Sequence, residues 1–167
     1  MRSRSSVWFE TGICYRKTQS DGTEKAVTEK YVVDALSFTE AENAITEEMS
    51  VYITGEFKVK SVAQAPYGEV FFSDKDDDDK WYKAKLQFIT IDNKTEKERR
   101  TNVTYLIQAK SMARALHNID EVMGKTMIDY DVVDLNKTKI FDVFEYKAKE
   151  VATESDKEKS NEEGKEE

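Results

Sequence analysis

The chain contains an internal repeat. YVVDALSFTEAENAITEEM (31–49) aligns without gaps to YLIQAKSMARALHNIDEVM (105–123), a shift of 74, with seven of 19 positions identical. Unrelated segments of ordinary composition would share about one. The identities are Tyr31/Tyr105, Ala35/Ala109, Ser37/Ser111, Ala41/Ala115, Ile45/Ile119, Glu47/Glu121 and Met49/Met123. The flanks continue at a shift of 73: WFETGICY (8–15) over WYKAKLQF (81–88), FKV (57–59) over YDV (130–132), EVFF (69–72) over DVFE (142–145). The two changes of shift fall in a hairpin turn and just after a helix, where length changes are tolerated. A sequence written twice restricts the fold more than any composition does, because each element must make sense in both copies.

Each copy opens on a strand of period two. Phe9, Thr11, Ile13 and Tyr15 share one face, as do Tyr82, Ala84, Leu86 and Phe88 in the second copy, which is the pattern of a half-buried strand. Polar turns follow (KTQSDGTEK, then DNKTEKERRTN), and a second strand completes each hairpin. A helix comes next. Ser37 with Glu40 forms a capping-box pattern, whereas Ser111 keeps the cap but has Arg114 at the reciprocal position. Phe38, Ala41, Ile45 and Met49, like Met112, Ala115, Ile119 and Met123, make one apolar stripe, and Gly124 marks a stop. Two shorter strands close each unit.

The expected fold is therefore α+β: a tandem duplication of a β-β-α-β-β unit, with antiparallel sheets and one helix per repeat. Units of about 65 residues are marginal alone, so the two should pair in a pseudo-twofold arrangement. The divisions are a first repeat at 1–72, an acidic linker at 73–80, a second repeat at 81–146 and an acidic tail at 147–167. Composition enters here. Charged residues make up 36% of the chain and the net charge is −8, but the acidity is concentrated. The tail holds eight acidic residues against five lysines and no aromatic beyond Tyr146, a composition expected to be disordered. SDKDDDDK (73–80) carries five aspartates and is expected to be an extended spacer kept open by self-repulsion. The remainder is nearly neutral, so the low pI neither favours nor excludes a nucleic-acid partner.

Catalytic patterns are absent. His117 is the only histidine and Cys14 the only cysteine, which excludes a zinc site and an intrachain disulfide. There is no Gly-x-Ser-x-Gly elbow, Walker loop or GxGxxG. Read as a calcium loop from Asp74, the aspartate run has Asp79 where glycine is needed and Lys85 where glutamate is needed. The expectation is a protein that is not an enzyme and holds no cofactor or metal. With no run approaching a membrane span and no apolar leader in MRSRSSVWFE, a cytoplasmic protein without membrane association is expected.

One constellation suggests a ligand. Trp8 and Trp81 hold equivalent places on the strand face opposite the helix, and Lys83 and Lys85 follow the second. Arg16 and Lys17 precede the first hairpin tip, and Lys94, Arg99 and Arg100 lie at the second, interrupted by Glu96 and Glu98. Aromatic residues on a sheet flanked by cations are a means of stacking and tracking single-stranded nucleic acid. The alternative is that each tryptophan caps the core and the basic residues solubilise loops.

VWFET, YVVDALSFTEAE, WYKAKLQFITID and NIDEVMG…MIDY together resemble a family of small domain-of-unknown-function proteins from Bacteroides-type gut bacteria and their phages. The resemblance covers residues 1 to 146 and implies a bacterial or phage, non-secreted origin. That family has no assigned activity, so no site residue carries over, and the acidic run is not one of its motifs. The functional expectation is a non-enzymatic binding protein, associated with single-stranded nucleic acid in phage or mobile-element replication or expression. The alternative is a protein-interaction module that binds a host or phage factor, and homo-oligomers through an edge strand are open.

Overall fold

A computed structural model describes residues 1–145, so the tail expected at 147–167 lies outside the described residues. The elements run β1 (Arg2–Ser5), β2 (Trp8–Thr18), β3 (Glu24–Asp34), α1 (Phe38–Tyr52), β4 (Phe57–Gln64), β5 (Glu69–Phe72), β6 (Lys80–Ile91), β7 (Glu98–Ala109), α2 (Met112–Met123), β8 (Asp129–Lys137) and β9 (Ile140–Phe144). They form two mostly antiparallel sheets, one ordered β1-β5-β7-β6-β8 and the other β4-β2-β3-β9.

The two long hairpins form as the alternation requires. β2 pairs β3 from Trp8↔Asp34 to Thr18↔Glu24, and β6 pairs β7 from Lys80↔Ala109 to Ile91↔Glu98. β4 and β8 add antiparallel to the hairpins, each across a bulge, at Gly12/Ile13 and at Lys85/Leu86. Those bulges are 73 residues apart, the shift that aligns the flanking strands. The helix entries match as well: Ser37 Oγ accepts the Glu40 N–H and Ser111 Oγ accepts the Arg114 N–H, both at 3.1 Å. The Glu40 carboxylate reaches back to the Leu36 N–H at 3.3 Å, one residue before the position a reciprocal capping box would use.

The last strand of each half does not stay with its own sheet. β5 lies parallel to β7 (Glu69↔Tyr105, Val70↔Leu106, Phe71↔Ile107), and β9 lies parallel to β3 (Tyr31↔Asp142, Val32↔Val143, Val33↔Phe144). The expected pair of self-contained antiparallel sheets is thus corrected: the halves exchange their terminal strands. The exchange fits the short connections. Chain leaving β4 or β8 stays beside the neighbouring tryptophan strand for one more residue, with the Ala65 N–H donating to the Trp8 carbonyl and the Thr138 N–H to the Trp81 carbonyl.

Three cores follow. Phe9, Ile13, Tyr31 and Val33 pack on Ala41, Ile45 and Met49 of α1, and Phe71, Leu86, Tyr105 and Ile107 pack on Ile119 and Met123 of α2. Between the sheets, Trp8, Val32 and Val143 meet Trp81, Val70 and Leu106. The result is a four-layer stack, helix–sheet–sheet–helix, in which every central strand buries side chains on both faces.

SDKDDDDK is more than the expected spacer. The chain turns tightly at 75–78, the Asp78 N–H donating to the Lys75 carbonyl, and Asp78 is 2% exposed. Its carboxylate accepts from Ser73 Oγ and from the Lys110 N–H, the latter at 2.9 Å. Self-repulsion among the other aspartates acts only on exposed side chains, while this one gains two hydrogen bonds at the entry to α2.

Candidate functional site

The stacking platform expected at the tryptophans is not presented to solvent. Trp8 is 1% and Trp81 2% exposed, with Phe72 edge-on to Trp81 at 5.6 Å and tilted against Trp8 at 6.5 Å. Uncovering one such indole forfeits roughly 4–6 kcal/mol of burial, whereas stacking one base returns about 1–3 kcal/mol. Burial wins. The physical reason is the inter-sheet layer: the face opposite each helix meets the other sheet at this point.

The cations named from sequence do not converge. Arg16 and Lys17 are exposed at one hairpin tip, and Lys94 and Arg99 at the tip of the other sheet. Lys83, Lys85 and Arg100 share one open sheet face, but Lys85 lies opposite Asp134. Arg100 donates to Asp131 at 2.8 Å and pairs with Glu98 at 3.5 Å. Beside this tip is an acidic cleft of about 720 Å³ lined by Glu96, Glu98 and Asp129. The face carries mixed charge and attracts a polyanion weakly.

A different set of lysines does converge. An open cleft of about 620 Å³ runs between the sheets where β3, the start of β6 and the β8–β9 turn meet; Lys30, Lys80, Lys137, Lys139, Thr138 and Phe141 line it, with Trp81 as part of its wall. The geometry is local in origin. Thr138 is anchored by two bonds to the Trp81 carbonyl, from its N–H and its hydroxyl (2.9 and 2.8 Å). That clamp fixes the turn that carries Lys137 and Lys139.

Lys80 is partly engaged, donating to Asp79 at 3.0 Å and to the Lys110 carbonyl at 3.2 Å. Its bond holds the Asp79 carboxyl below the ordinary range, and the charge of Lys137 adds to the effect. Lys30 stands 3.9 Å from Glu10, whose other oxygen accepts from the Tyr67 hydroxyl at 2.6 Å. Lys137 and Lys139 are exposed and have no ion pair or hydrogen bond among the described residues. Phe141 is 58% exposed and leans on Tyr31, ring centres 6.0 Å apart. The cleft thus offers four lysines against the single carboxylate of Asp79, with hydroxyls and an exposed ring at one place.

The aligned positions elsewhere in the chain do not carry these lysines. There Gln64, Ala65 and Pro66 stand for Lys137, Thr138 and Lys139, and Thr104 stands for Lys30. Tyr67 replaces Ile140, and Gly68 replaces Phe141. Tyr67 is 4% exposed and fills the space, its hydroxyl pushed well up by burial and by the bond to Glu10. The lysine set occurs at one of the two aligned positions, and it draws on both halves of the chain. Sequence reading missed it because Lys30 and Lys80 are far from Lys137 in the chain; the only local signal is the NKTK run at 136–139.

Among the described residues no group of three or more histidine, cysteine, aspartate or glutamate side chains is placed to hold a metal ion. No described helix is long and apolar enough to cross a membrane. Two helices on two mostly antiparallel sheets, with a cationic cleft at their junction, define a mixed α+β protein. The chain belongs to the family described as a domain of unknown function, DUF4494, whose model matches residues 7–146. No curated protein and no solved structure matches it.

Proposed function

We propose that the protein is a non-enzymatic binder of single-stranded nucleic acid in a phage or mobile element, acting in a reducing cytoplasmic compartment where the lone Cys14 stays unpaired. It is read as a duplicated β-β-α-β-β unit folded into a pseudo-twofold, strand-exchanged pair, with the ligand site at one of the two aligned junctions between the halves. What supports the activity is the cleft itself. Lys30, Lys80, Lys137 and Lys139 line one cleft with an exposed Phe141, the combination of phosphate-neutralising cations and a stacking ring that single strands require. The asymmetry supports it further: structural needs common to both halves are met in the other half by Pro66, Tyr67 and Gly68, so the lysines answer to something else.

The test is fluorescence anisotropy with a labelled oligothymidine of about 12 nucleotides, within the span one such domain covers. Neutralising about three phosphates predicts a slope of log affinity on log salt of roughly −2. Replacing Lys137 and Lys139 together by glutamate should weaken binding at least tenfold, whereas Lys94→Glu at the hairpin tip should not. Salt-insensitive binding, or equal binding by the double variant, would sink this reading. The alternative, a protein-interaction module, draws on another part of the surface.

A further inference from the structure

The two helices end differently. α1 runs for 15 residues, and its last turn lays the Tyr52 ring on Phe144, with centres 6.5 Å apart and planes 20° from parallel. Phe144 stacks in turn on Tyr31 at 5.6 Å, so three rings close that end of the core. α2 has 12 residues and stops at Met123. The Gly124 N–H donates to the Asp120 carbonyl at 2.8 Å, and Thr126 turns back on the helix, its N–H and hydroxyl both donating to the Met123 carbonyl at 3.0 and 2.7 Å. The chain is wound onto the helix end, and GKTMI (124–128) holds no aromatic residue.

A cavity opens at this end of α2. Phe71 aligns with Phe144 and Tyr105 with Tyr31. The two meet edge-on at 5.0 Å, and with Met123 and Ile128 they form the apolar part of a cavity of about 370 Å³. A cavity of ~150 Å³ holds a benzene ring, so there is room for one ring and a short polar substituent. The polar wall is selective. Glu69 supplies the one acidic side chain and Lys125 the one basic side chain among the described lining residues. Ser5 Oγ donates to Glu69 at 2.9 Å. Burial, and then the charge of Glu69, push the Tyr105 hydroxyl up, which sets that carboxylate close to the apolar floor. Lys125 is exposed, and its ammonium has no ion pair or hydrogen bond among the described residues. One charge of each sign balances a zwitterion, whereas a plain cation or a plain anion meets a like charge.

We infer that the cavity at the end of α2 is a binding site for a small aromatic zwitterion, of the class of aromatic α-amino acids. The ring takes the place beside Phe71 that Tyr52 takes beside Phe144, the ammonium faces Glu69 and the carboxylate faces Lys125. Burial of the ring supplies the affinity, and the two charges select the ligand. An aliphatic side chain fits the volume but gives up the ring contacts with Phe71 and Tyr105. An aromatic side chain within a polypeptide gives up both charges. The cavity shares no lining residue with the lysine cleft, so this inference and the nucleic-acid reading can fail separately.

The probe is L-phenylalanine, titrated calorimetrically into the full chain. The controls are L-leucine, which lacks the ring, N-acetyl-L-phenylalaninamide, which lacks both charges, and 3-phenylpropionate, which lacks the ammonium. Phenylalanine should bind at least tenfold more tightly than each control, and hydrogen exchange in its presence should slow at 122–128. Glu69→Gln should weaken phenylalanine at least tenfold without weakening 3-phenylpropionate. Val122→Trp, which places a ring in the cavity, should abolish binding, and Lys137→Glu should leave it unchanged. No binding at millimolar phenylalanine, equal binding of any control, or protection elsewhere than the end of α2 would each overturn the proposal. Because the ligand series and the exchange measurement use unaltered protein, misfolding of a variant cannot rescue it.

Discussion

Replacing Asp78 by alanine separates a structural aspartate from its solvated neighbours. Asp78 is buried, and its carboxylate accepts two hydrogen bonds, from Ser73 Oγ and from the Lys110 N–H. The second bond matters more. Lys110 immediately precedes the Ser111 cap of α2, and its N–H has no obvious second acceptor once the carboxylate is gone. Ser73 can still serve Lys75, whose N–H it already accepts at 3.1 Å. Hydrogen bonds to charged groups contribute about 1.5–3 kcal/mol each, and a buried donor left unpaired costs about 1–3 kcal/mol. With one bond partly replaceable, Asp78→Ala should cost about 2–4 kcal/mol. Asp77 is the control. Among the described residues its carboxylate pairs with the exposed Lys110 ammonium, at 3.2 Å, and Asp77→Ala should leave stability close to that of the wild type. Urea unfolding followed by tryptophan fluorescence reads both, since both indoles sit between the sheets and report their separation. The two variants should share the wild-type m-value. If Asp78→Ala matches Asp77→Ala, the run is a spacer after all and the reasoning here is wrong.

Asp142 makes a second prediction, on pH. Its carboxyl is raised in the folded state, so the folded protein holds that proton more tightly than the unfolded chain; the associated stability is greatest below about pH 4 and declines as pH rises through the raised value. Asp142→Asn should therefore be more stable than wild type at pH 7 and indistinguishable from it at pH 3; a constant difference would refute the assignment. The tryptophans make a third: both should emit at short wavelength and resist acrylamide, whereas red-shifted, readily quenched emission would restore the exposed platform that the inter-sheet core excludes.

Much of the architecture is legible in the residues. Alternation in WFETGICY and WYKAKLQF, serine caps at 37 and 111, and the stripes ending in Met49 and Met123 are local signals, and the structure forms strands, caps and helices there. A clue to the inter-sheet core was also present. Tyr31-Val32-Val33 and Tyr105-Leu106-Ile107 are apolar on consecutive positions, which a strand covered on one face does not need. Read with that weight, they place Trp8 and Trp81 in an interior layer, since each shares its strand face with Val32 or Leu106. The site was not legible in the same way. Lys30, Lys80, Lys137 and Lys139 come together only through the fold.

The sequence by itself determined the elements, their order and their caps, because period, turn chemistry and capping act over a few residues. Only the tertiary structure decided which strands share a sheet. β5 and β9 are short, apolar and similar in both halves, so nothing local tells them which hairpin edge to join; the choice depends on distant chain that must be packed first. That choice buries the tryptophans, builds the lysine cleft on one side, and leaves one sheet edge covered by β1.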